Sequence, residues 1–155
     1  MVVMTDPPAR TLVLVRHAKA ESGEEGADHA RRLTNRGRAA AAEAGRWLVT
    51  AAPAPDAVWC SSATRAVQTW EAIAPSFPAP PAPVVDRALY LASPREVLEW
   101  LAASPVATNV VVGHNPTVEQ VLGSVTGELR GVRPGAIAVV DLDAGRLVDF
   151  WEPQR

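Results

Sequence analysis

Three short, unbroken apolar runs, each stopping abruptly at polar residues, constrain this chain more than any other feature. Leu12-Val13-Leu14-Val15 runs into Arg16-His17, Ala57-Val58-Trp59-Cys60 into Ser61-Ser62, and Val110-Val111-Val112 into Gly113-His114-Asn115. Runs this short, rich in β-branched residues and without alternation, suit strands covered on both faces, as in a parallel sheet. Helical segments alternate with them. Thr34 is an N-cap for a helix from Asn35 to about Ala51, with Trp47 and Leu48 as apolar anchors and Pro53 beyond its end. Ser61 and Ser62 offer caps for a helix from about Ala63 to Ala74. Ser93-Pro94-Arg95-Glu96 matches a capping box with proline at the first helical position; the helix runs to about Ala102 and buries Val97, Leu98 and Leu101. Asn115-Pro116 reads as N-cap and first residue of a helix to about Val125.

The remaining segments complete an α/β order. Ala18 to Arg32, with Gly23 and Gly26, is a polar loop. Pro75 to Pro83 holds five of the 14 prolines and must be extended. Val84-Val85 is a minor strand. Ala136 to Leu142 and Arg146 to Trp151 form a closing hairpin turned at Asp143-Ala144-Gly145. Strands alternating with helices predict a three-layer α/β/α fold with a mainly parallel central sheet and an antiparallel edge. With 155 residues, one domain is expected over 1–155, residues 1–10 being a flexible N-terminus.

Composition narrows the function classes. A net charge of −2 lacks the broad basic footprint of a nucleic-acid binder. No apolar run is long enough for a membrane span or a signal-peptide core. A single cysteine, Cys60, excludes an intramolecular disulfide and a cysteine-built zinc site. The reading is a soluble cytoplasmic protein, with Cys60 as core packing; oligomeric state is not legible.

Ligands of open α/β sheets bind beyond the carboxyl ends of the strands. The three run ends would gather Arg16, His17, Arg65 and His114 on one rim, close to the starts of two helices. Two guanidinium forks and two imidazoles suit a phosphoryl group: the forks grip its oxygens, and a neutral imidazole can attack phosphorus without a cofactor. No metal is expected. His17 and His114 lack an evident third ligand, and flanking arginines would repel a divalent cation. Lys19 could extend the positive pocket or be a loop charge. Arg31 could line the pocket or form an ion pair with Asp28. Asn115 is a further candidate for substrate binding. His29 reads as solvent-facing, Trp70 as core or rim, and Arg36, Arg38 and Arg46 as a solvated helix face.

Together these motifs resemble a family. LVLVRHAKA around Arg16-His17 is similar to the signature of the histidine phosphatase superfamily, which includes the phosphoglycerate mutases. Asp28 to Thr34 with Arg36-Gly37 resembles the "D..R.LT..G" segment of its small SixA-type branch. Ser61 to Thr69 resembles "S...RA.QT", and Val112 to Pro116 resembles "VGHNP". The resemblance implies a phosphoglycerate mutase-like fold, a phosphohistidine on His17, and phosphoryl contacts from Arg16, Arg65 and His114. It implies a phosphorylated substrate, either a phosphohistidine protein or a small metabolite, and no cofactor. Ala18 stands where the superfamily usually has glycine. No general acid is legible; Glu21, Asp28 and Asp86 are the candidates, and its absence favours an activated phosphate. A non-catalytic phosphate-binding module and, less in keeping with the short chain, a phosphomutase are the alternatives.

Overall fold

The structure is a computed structural model that describes residues 9–23 and 27–155; the expected flexible N-terminus and Gly26 fall largely or wholly outside these residues. Six strands form one sheet: β1 (Thr11–Arg16), β2 (Ala57–Ser61), β3 (Val84–Asp86), β4 (Thr108–Gly113), β5 (Ile137–Asp141) and β6 (Arg146–Trp151). Their spatial order is β3-β2-β4-β1-β5-β6. The first four positions are parallel; β5 runs antiparallel to β1 and β6 antiparallel to β5. The helices are α1 (Asn35–Ala51), α2 (Thr64–Ile73), α3 (Arg87–Tyr90), α4 (Pro94–Ala103) and α5 (Thr117–Thr126).

Side chains alternate across the sheet and so build two cores. Val13, Val15, Val58, Cys60, Val110 and Val112 meet Leu48, Trp70, Ile73 and Phe77 on the α1/α2 face. Leu12, Leu14, Val111, Ala138 and Val140 meet Val97, Leu101, Val118 and Leu122 on the α4/α5 face. The apolar runs are continuous because both faces are covered. No helix among the described residues is long and apolar enough to cross a membrane.

Register fixes the site. Arg16 pairs with Gly113, so His17 and His114 leave neighbouring strands at the same level. Cys60 pairs with Val112, so Ser61 stands level with Gly113 on the other side of β4. All three apolar runs end at one rim.

Several local expectations need correction. Thr34 and Ser93 cap α1 and α4 as expected, Ser93 within a complete capping box. The serines before α2 do not cap it: the N-cap is Ala63, Ser61 Oγ accepts from Ala63 N at 3.2 Å, and Ser62 Oγ faces His29. α5 begins at Thr117, one residue later than the Asn-Pro pattern suggests. Asn115 still accepts from Glu119 N at 3.3 Å, because the side chain of an asparagine reaches across a turn. A short 3-10 turn, Ala74–Ser76, opens the proline-rich stretch expected to be wholly extended. Leu98 is only half-buried, β5 starts at Ile137 rather than Ala136, and α3, capped by Asp86, was not foreseen.

Candidate active site

Arg65 is the hub of the rim. It lies in the first turn of α2, is 5% exposed, and reaches across both histidines. Its Nε donates to His17 Nε2 at 3.3 Å and its Nη2 donates to His114 Nδ1 at 3.3 Å. Its Nη1 donates to the Asp28 carbonyl at 2.7 Å and Nη2 to the Asp28 carboxylate at 3.1 Å. The two imidazole centroids are 5.2 Å apart.

These bonds determine the tautomers. Arginine only donates, so His17 Nε2 and His114 Nδ1 must accept. His17 Nδ1 lies 2.8 Å from the Ala18 carbonyl, which only accepts; the ring proton is therefore on Nδ1 and the lone pair on Nε2. By the same logic His114 Nε2–H donates to Ser61 Oγ at 2.6 Å. Burial, opposed by the Ala18 carbonyl and reinforced by the neighbouring guanidinium groups, pushes the His17 pKa down to about 4. Burial, then His17 and Arg65, push that of His114 down to about 3. Both rings are neutral at pH 7.

Arg16 completes the rim from the end of β1. Its Nη1 donates to the Val132 carbonyl at 2.9 Å, while its buried Nε has no partner among the described residues. Burial lowers its pKa from the ordinary value, Glu119 opposing. The anchoring loop is shared: Gly135 N donates to the carbonyls of Arg16 and His17. Thr69, on α2, accepts from Ala18 N at 3.0 Å and donates to the Arg65 carbonyl at 2.7 Å, tying the chain after His17 to Arg65.

The other residues singled out in the sequence stand elsewhere. Lys19 is exposed and, instead of extending the phosphoryl pocket, lines a surface groove with Arg36, Arg133 and Arg155. Arg31 pairs with Asp28 at 3.0 Å and donates to the Glu21 carbonyl, steadying the loop. Asn115 spends its amide on Glu119 Oε1 and the Val132 carbonyl, 2.8 and 2.9 Å away. Trp70 is core, stacked on Phe77. His29 is half-buried rather than solvent-facing.

Sequence reasoning missed the part three residues play here, and Tyr90 altogether. Asp28 is a clamp on Arg65: the Tyr90 hydroxyl, then Arg65 and Arg31, hold its carboxyl well below the usual range against a smaller desolvation effect. Tyr90 stands edge-on to His114, centroids 5.5 Å apart. Ser61 orients His114. A strand-end serine pair was a visible signal for Ser61; a four-residue helix leaves none for Tyr90. Among the described residues no group of three or more His, Cys, Asp or Glu side chains is arranged to hold a metal ion.

The arrangement can therefore present a lone pair on Nε2 to a tetrahedral anion gripped by two guanidinium groups. Comparisons with known proteins bear on the family and the fold. The Mycobacterium tuberculosis (strain CDC 1551 / Oshkosh) protein MT1313, itself uncharacterized, is 43% identical over 118 residues, covering 73% of this chain and 72% of its own. The Agrobacterium tumefaciens protein named SixA superposes with a TM-score of 0.85 at 32% identity, over 92% of this chain and 98% of that one. The protein histidine phosphatase SixA complexed with tungstate gives 0.77 at 25% identity, over 92% and 94%. A mycobacterial glucosyl-3-phosphoglycerate phosphatase, at 17% identity and a TM-score of 0.64, shares the fold, which is phosphoglycerate mutase-like. The sequence model described as the histidine phosphatase superfamily (branch 1) matches residues 12–89, a stretch that carries Arg16, His17, Asp28 and Arg65. With β4 supplying His114 to the same rim, this chain belongs to the histidine phosphatase superfamily.

Proposed function

We propose that this chain is a metal-independent phosphatase that transfers a phosphoryl group to His17 and then to water. The observation that carries the proposal is the tautomer of His17: Nδ1–H is tied to the Ala18 carbonyl, so a neutral Nε2 faces the Arg65 guanidinium. Nε2 attacks phosphorus, the bond to the leaving group breaks, and the electron pair leaves with that group. Charge on the equatorial oxygens is met by Arg16 and Arg65. A water then attacks the phosphohistidine, and the P–N pair returns to Nε2. His114 holds an oxygen in line. To donate to it, His114 must carry a proton on Nδ1, which the charge of a bound dianion favours.

The substrate class proposed is a phosphohistidine protein or a small phosphomonoester. The likeness to a protein histidine phosphatase supports the first. The test is turnover of p-nitrophenyl phosphate and of a phosphohistidine peptide in EDTA, with trapping of a phosphoenzyme that is labile in acid and stable in base. Wild type should turn over and label; His17→Ala should do neither. Turnover surviving in His17→Ala, or requiring added metal, refutes the mechanism. Tight phosphate binding without turnover would instead identify a binding module.

A further inference from the structure

Resting on the phosphatase reading, we propose that His29 is the general acid: its Nδ1 protonates the leaving group as the bond to phosphorus breaks, and takes a proton from the attacking water in the second step. The three carboxylates singled out in the sequence are held ionised, used as a cap, or turned to solvent. Asp28 is held ionised by Tyr90, Arg65 and Arg31 and has no proton to give at neutral pH. Asp86 is exposed and caps α3 through Ala88 N at 2.8 Å. Glu21 is exposed, and its carbonyl, not its carboxylate, is what the loop uses. Tyr90 donates its hydroxyl to Asp28.

His29 is placed differently. It follows Asp28 in a 3-10 turn, Asp28–Ala30, and the carbonyl and carboxylate of Asp28 both bond Arg65, so its backbone lies beside the phosphoryl grip. Its Nε2 is 2.8 Å from Ser62 Oγ. Its ring stands edge-on to Tyr90 at 4.9 Å, and Tyr90 stands edge-on to His114 at 5.5 Å. The adjacent serines at the end of β2 thus each hold an imidazole: Ser61 holds His114 inside and Ser62 holds His29 outside, with Tyr90 between. As an imidazolium the ring donates Nε2–H to the Ser62 hydroxyl and carries its second proton on Nδ1, which makes no hydrogen bond among the described residues. Arg65 turns Nε to the nucleophile and both Nη atoms to Asp28, so the turn lies across the guanidinium from His17. A group leaving in line with Nε2 departs from phosphorus on the side away from His17.

The step balances. The P–O or P–N bond to the leaving group breaks with its electron pair, that group gains the Nδ1 proton of the imidazolium, and His29 is left neutral, with Nε2–H still on Ser62 and a lone pair on Nδ1. Water then gives a proton to His29 and its oxygen to phosphorus.

The experiment compares wild type, His29→Gln and Ser62→Ala on aryl phosphates from 2,4-dinitrophenyl to phenyl phosphate, with inhibition by inorganic phosphate as control. Acid catalysis matters most for poor leaving groups. His29→Gln should lower kcat/KM for phenyl phosphate by about 100-fold or more, and for the dinitrophenyl ester by less than about 3-fold, with phosphate inhibition unchanged within about 2-fold. Ser62→Ala keeps the ring and loses its anchor; the same trend, smaller, is expected, and it serves if His29→Gln does not fold. A loss of equal size along the series, or no loss on phenyl phosphate, overturns the assignment. Those outcomes leave His17-dependent turnover intact; absent wild-type turnover would instead sink the phosphatase reading.

Discussion

The neutral histidine pair makes acid sensitivity a direct test of the site. Unfolded, each ring titrates near 6.5; folded, His17 titrates at about 4 and His114 at about 3. Between these values the unfolded chain binds protons that the folded chain refuses, so stability rises with pH there and is lost as pH falls from about 6.5 towards 4. At about pH 5 an unfolded ring is roughly 1.5 units below its pKa, which gives about 2 kcal/mol per ring, or about 4 kcal/mol for the pair. The perturbation is His17→Gln with His114→Gln, and the quantity compared is the change in unfolding free energy between pH 7 and pH 5, from urea titrations. Carboxylates and His29 are common to both proteins and cancel in the comparison. Wild type should lose several kcal/mol more than the double variant over that interval. If the two proteins lose the same amount, the rings are not held neutral by the fold, and the lone pair that the proposed mechanism places on His17 Nε2 needs another explanation.

Other perturbations probe the scaffold and the anion. A Cβ on Gly37 would lie 2.2 Å from the Lys19 carbonyl, two residues from His17; Gly37→Ala should cost about 1–3 kcal/mol in denaturant titration and lower kcat/KM as well. Ser93→Ala removes a complete capping box on α4, far from the rim in sequence; it should cost about 1 kcal/mol with kcat/KM unchanged. Binding of inorganic phosphate at pH 7 should take up protons, because a dianion favours a charged His114; calorimetry in buffers of different ionisation enthalpy would read this uptake, and none would contradict the role given to His114.

Strand order and rim were legible because both rest on local chemistry. A run such as Val110-Val111-Val112 has one economical fate, a doubly covered strand, and the polar residues after it must emerge at a strand end. Thr34 and Ser93 were legible because a capping side chain bonds three residues away, within the reach of sequence pattern. Ser61 and Ser62 were misread for the opposite reason. A serine before a helix satisfies local logic as a cap, yet here its partners are His114 and His29, 53 and 33 residues away. Lys19 was left open between pocket and loop charge: it comes two residues after His17, but β1 has ended and the chain turns, and it lines a separate surface groove. Asp28 was seen as a carboxylate and not as an anchor, because its partners Arg65 and Tyr90 arrive from α2 and α3.

The charge balance explains why such partners are needed. Two guanidinium groups beside two imidazoles would tend to splay apart in the absence of an anion, and a splayed Arg65 could not grip phosphate. Asp28 supplies a fixed negative group at the outer edge of Arg65, 3.1 Å from Nη2, while remaining largely exposed. Its exposure matters: a buried carboxylate would compete with phosphate for the whole fork, whereas one screened by water holds the guanidinium and yields to a dianion. Tyr90 and Arg31 keep that carboxylate ionised and aimed. The same bonds that preorganise Arg65 also remove Asp28 from proton transfer. The acid proposed in its place, His29, is the next residue along the same turn.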